Sequence, residues 1–140
     1  MSTAFDSLAR ELNSAPPTRK IRQMLERTDL PADVKALLFE LADITVTVGG
    51  KILAIGRKLL DFALSLLRAF PGIALGIIVA YVLAGVIDAI PLLGKLLRRI
   101  MGPLLLAMGI AMGALKDFTA DDFRARVDGF IDAFRALTEA

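Results

Sequence analysis

The sequence predicts an all-α protein in which amphipathic helices flank a two-helix transmembrane hairpin. Three observations lead there. Apolar residues recur at three- and four-residue spacing through most of the chain. Two long stretches, residues 69–94 and 100–115, are almost free of charge. Mean hydropathy is +0.63, with 56% hydrophobic residues among 140, above the ~45–50% apolar content usual for globular domains.

The first region, residues 1–50, reads as three amphipathic helices. Phe5, Leu8, Ala9 and Leu12 fall on one helical face before Ser14-Ala15-Pro16-Pro17 interrupts it. Thr18 is placed to cap a second helix to about Arg27, carrying Ile21, Met24 and Leu25. Pro31 suits the first turn of a third helix reaching about Val48. Its stripe is Val34, Leu37, Leu38, Leu41, Ile44 and Val48. Ile44 to Val48 also alternates like a strand, but no partner strand is evident, and Gly49-Gly50 reads as a break.

Residues 51–70 read as a basic amphipathic helix with Lys51, Arg57, Lys58 and Arg68 on a narrow polar side. Such a helix fits a lipid interface, and it equally fits packing on other protein helices with its lysine stems extended. Residues 71–115 are expected to form the hairpin. Between Ala69 and Ile87 no residue is charged, and with Leu93 the run exceeds the ~20 residues needed to span a bilayer. Lys95, Arg98 and Arg99 would form the loop, and residues 100–115 the shorter second span. Residues 116–140 close the chain with a helix. Its seam is Phe123, Val127, Phe130, Phe134 and Leu137 at 4-3-4-3 spacing, and Thr119 with Asp122 marks its start.

Charge follows the same division. Residues 1–50 carry a balance of −1, residues 51–116 of +6 and residues 117–140 of −3. The cations flank the apolar runs, where lipid headgroups would meet Lys51, Arg57, Lys58, Arg68, Lys95, Arg98 and Arg99. Interleaving with Leu and Ile argues against nucleic acid. Seven basic residues near the terminal ends of the spans, against three in the loop, predict both termini in the cytoplasm and the hairpin in the inner membrane. The N-terminus lacks the apolar core of a secretory signal, and neither end matches a lipidation motif, so membrane association is expected from the chain itself.

Gly72, Gly76, Ala80 and Ala84, with Gly109 and Gly113, are candidate helix-packing or oligomer contacts, because small residues let helices approach closely. Asp88 is the one acid within the apolar region. It is either a functional intramembrane charge or an interfacial partner of Lys95, Arg98 or Arg99. The chain has no Cys and no His, which excludes a Cys/His metal site and a Ser-His-Asp triad. No catalytic constellation and no cofactor site is visible.

The Gly/Ala-rich apolar hairpin of residues 69–115 among amphipathic helices resembles the pore-forming domains of colicins. That resemblance implies a helical bundle around a hydrophobic hairpin and an action on bilayers. Ile87-Asp88-Ala89-Ile90-Pro91-Leu92-Leu93-Gly94 also looks like the D-x-I-P-x-x-G core of small bacterial membrane proteins. The expected function is a self-associating membrane protein that permeabilises the bilayer, as a pore-forming effector or holin-like protein does. The alternative is a non-enzymatic membrane-anchored scaffold that binds a protein partner through its terminal helices. A bundle that hides the hairpin until triggered is a third option.

Overall fold

The computed structural model describes residues 3–109 and 121–135. Its helices are α1 (Thr3–Asn13), α2 (Thr18–Glu26), α3 (Ala32–Ala42), α4 (Ile55–Ala69), α5 (Leu75–Ala89), α6 (Pro91–Met108) and α7 (Asp121–Phe134). A short hairpin, β1 (Val46–Val48) and β2 (Lys51–Leu53), lies between α3 and α4. The helical expectation therefore holds, with one small sheet added.

The hairpin explains the alternation at residues 44–48. Gly49 and Gly50 both take positive φ, 58° and 79°, as a two-residue hairpin turn of matching twist requires. Val46 then faces Leu53, Thr47 faces Ile52 and Val48 faces Lys51. The partner strand was hidden because Lys51 also starts a seven-residue polar spacing that reads as helix. The Asn13 side chain holds this segment to α1. Its amide nitrogen donates to the Ile52 carbonyl at 3.2 Å, and its oxygen accepts from the Ala54 N–H at 3.2 Å.

The long uncharged run is not one helix. Phe70 and Ile90 each precede a proline, which disfavours helical backbone at those two positions. Both adopt φ −130°, and helices end there. Pro91 then opens α6 at its first turn, where its missing N–H costs nothing. The result is α5, 15 residues long and ~22 Å from end to end, against a hydrocarbon core of ~30 Å. Lys95, Arg98 and Arg99, expected in a loop, lie within α6.

Among the described residues no helix is long and apolar enough to cross a membrane. This finding corrects several expectations together. The transmembrane hairpin over residues 71–115 is absent from the described residues. With it go the pore-forming and holin-like function, the membrane-anchored scaffold, and the inner-membrane placement with both termini cytoplasmic. Asp88 lies exposed near the end of α5.

Most of the described apolar residues are covered by the chain itself. Helix α5 packs against α4, α6 and α7, and α3 packs against α6, α4 and α2. Leu83, Val86, Ile90, Leu93, Leu97 and Leu104 are fully buried in this core. A close approach joins α4 to the end of α3. Gly56 donates its N–H to the Ile44 carbonyl at 3.0 Å, and a Cβ at Gly56 would collide with the backbone oxygen of Leu41. Backbone cannot yield as a flexible side chain can, so the cost of overpacking reaches the upper end of its usual range. Gly56→Ala is expected to destabilise the fold by about 3 kcal/mol. Urea unfolding monitored by circular dichroism measures it, and a loss below about 1 kcal/mol would show that the two segments separate easily.

Candidate ligand-binding cleft

Three helices each place four residues, at i, i+3, i+4 and i+7, around one cleft. They are Tyr81, Ala84, Gly85 and Asp88 on α5; Arg98, Met101, Gly102 and Leu105 on α6; and Arg124, Val127, Asp128 and Ile131 on α7. Ile87 completes the lining. Each stripe follows two helical turns, ~10.5 Å of helix length. The volume is about 590 Å³, within the ~300–1,000 Å³ typical of small-molecule sites.

Helix packing fixes which residues meet. Gly76 lies against the Met108 side chain, so α5 and α6 run in opposite directions. Tyr81 meets Phe123 edge-on, with ring centroids 5.2 Å apart, and Gly85 lies against Ile131. Helix α7 therefore runs alongside α5 in the same sense. Asp88 and Arg98 share one end of the cleft, and Arg124 lies toward the Tyr81 end. Ala84, Gly85, Met101 and Val127 make the middle apolar. The cleft exists because the floor residues are small, since a larger side chain at Ala84 would occupy it.

Asp88, Arg98, Arg124 and Asp128 are all exposed at the rim. None of them forms an ion pair among the described residues, including the pairing of Asp88 with Lys95, Arg98 or Arg99 anticipated from their proximity in sequence. No group of three or more potential metal-ligating side chains occurs among the described residues. The arrangement offers an apolar trough with charged ends, which suits retention of an amphiphile.

The remaining candidate residues fall elsewhere. Of the small residues, Ala80 is fully buried, Ala84 lines the cleft, Gly72 lies exposed in the turn before α5, and Gly109 caps α6 with φ 67°. Gly113 and Leu137 lie outside the described residues, as does the Thr119 cap. The four cations around α4 are held by protein groups. Lys58 pairs with Glu11 at 2.7 Å and Lys51 with Asp6 at 3.2 Å. Arg57 donates to the Pro16 carbonyl at 3.4 Å, and Arg68 reaches the Met24 sulfur at 3.8 Å. The basic stripe thus meets α1, α2 and the turn between them. Lys95, Arg98 and Arg99 remain exposed on α6.

The aromatic seam of α7 faces inward. Phe123, Val127, Ile131 and Phe134 are buried, so Ile131 takes the place expected for Phe130. Phe130 is half-buried and stacks on Phe62 of α4 at 3.9 Å, and Phe123 meets Phe70 edge-on at 5.5 Å. These residues are occupied by the chain's own helices, which leaves little of the seam for a partner. Sequence reasoning missed Gly85, Met101, Leu105 and Ile131 as cleft residues. Each stripe mixes polar and apolar positions and resembles an ordinary helix shoulder.

The class this geometry defines is a small helical protein with an amphipathic interhelical cleft. Comparison of the chain with protein-family models, with curated proteins and with solved structures finds no match in any of the three.

Burial assigns Phe123 a structural role. Phe123→Ala is expected to cost about 3–5 kcal/mol, the usual range for emptying a buried phenylalanine position. Chemical denaturation checks this, and a change under about 1 kcal/mol would place Phe123 outside the core.

Proposed function

We propose that this chain is a non-enzymatic binding protein that holds a small amphiphile in the cleft between α5, α6 and α7. The observation that carries the reading is the cleft itself, a trough of about 590 Å³ with an apolar middle and unpaired charges at its rim. A ligand with an alkyl or aryl body would bury that body on Ala84, Met101, Val127 and Ile131. Its polar group would reach Asp88 and Arg98 at one end or Arg124 at the other. Burial at ~25 cal/mol per Å² of apolar surface supplies most of the affinity, and the exposed charges select the orientation.

The absence of His and Cys and the apolar middle of the cleft favour retention over reaction.

Anilinonaphthalene sulfonate, which pairs an apolar body with an anionic group, is a direct probe. The folded chain is expected to bind it saturably, with enhanced fluorescence. Ala84→Leu, which fills the trough, is expected to weaken binding at least ~10-fold while preserving cooperative unfolding; a contact of this kind contributes ~1–3 kcal/mol. Failure of the folded protein to bind the probe, or equal binding by the filled variant, would overturn the assignment.

A further inference from the structure

We infer that the outward faces of α6 and α7 are reciprocal docking surfaces through which two copies of this chain associate. On α6 the exposed positions Leu92, Lys95, Arg99, Gly102 and Leu106 follow one another at 3-4-3-4 spacing, so they share one face. Leu92 is 51% and Leu106 84% exposed, two of the three exposed large hydrophobic residues among those described. Lys95 and Arg99 lie between them and form no ion pair among the described residues. The whole of α6 carries no acid. Nothing within the described chain neutralises or covers this face.

Helix α7 presents the complement. Asp121, Ala125, Asp128 and Asp132 are exposed at 4-3-4 spacing and also share one face, bordered on the cleft side by exposed Arg124, so the acids outnumber the one cation beside them. Asp132 pairs with Arg135 at 3.0 Å, whereas Asp121 and Asp128 form no ion pair among the described residues. Ala125 and the adjacent exposed Gly129 keep the surface low, so leucines from another helix can lie on it. The lengths agree. Leu92 to Leu106 spans ~21 Å of helix and Asp121 to Asp132 spans ~16 Å.

Both faces border the cleft mouth, since Arg98 and Gly102 form one rim and Arg124 and Asp128 the other. A two-fold rotation through that mouth seats α6 of each copy on α7 of the other. The interface is then self-complementary, and every contact occurs twice. A second copy is favoured over an unrelated acidic partner because this molecule carries the basic and acidic faces side by side. The inference holds whatever the cleft contains.

Sedimentation equilibrium of the full chain tests it. At low salt a species of twice 15.1 kDa is expected, and it should dissociate as salt screens the exposed charges. Lys95→Glu with Arg99→Glu makes both faces acidic, and Asp121→Lys with Asp128→Lys makes both basic. Each double variant alone is expected to be monomeric. An equimolar mixture of the two is expected to recover the dimer, because each basic face then finds an acidic one. Cooperative unfolding like that of the unaltered chain confirms that the variants are folded. A monomeric unaltered chain at all concentrations, a dimer indifferent to both charge reversals, or a mixture that stays monomeric would each overturn the inference.

Discussion

The burial of α5 is the constraint on which the rest of the molecule depends. This helix is apolar on nearly every side, with nine of its fifteen residues buried. A helix of that kind requires an apolar surround, which either lipid or protein can supply. Here α4, α6 and α7 supply it. Close approach makes the cover effective, because α5 presents Gly76 to Met108 and Gly85 to Ile131. Gly76, one of the small residues of the kind that serves helix packing in membranes, serves the same geometric purpose within this chain.

The outer layer follows from that packing. Helix α4 turns its apolar side to α5 and its cations to α1, α2 and the turn between them, so Glu11 meets Lys58 of α4 and Asp6 meets Lys51 at the start of β2. These partly exposed pairs contribute little energy, typically ~0–1 kcal/mol each for surface ion pairs. Their effect is to orient the N-terminal helices, whose Leu12, Ile21 and Leu25 are fully buried. Asn13 fixes the β-hairpin to the same helices. The stability of this layer comes mainly from the leucines and isoleucines beneath it.

The cleft arises where packing around α5 is incomplete. Helices α6 and α7 both rest on α5, and small residues between them leave the trough open. Buried Phe123 and Phe134 secure α7, and Val127 and Ile131 of the same stripe line the cleft beside them. Charged residues collect at its rim because that is where these helices return to solvent. The same positions that define a ligand site therefore also border the surfaces assigned to self-association.

Several features were legible in the sequence. Helical periodicity located most elements, and Gly49-Gly50 and the prolines marked breaks. Charge segregation set the basic middle apart from its flanks, but the membrane orientation drawn from it is overturned. The sequence could not identify the partner of each surface. A run of uncharged residues has the same hydropathy whether it forms one long helix or two short ones that cover each other. Proline-induced bends at Phe70 and Ile90, together with the burial of α5 by its neighbours, decided between those outcomes. Likewise Lys51-Ile52-Leu53 fits a helix or a strand locally, and its pairing with Val46–Val48 became apparent only through contacts across the turn. The cleft depends on three helices being brought together in register, and no single segment encodes that register by itself.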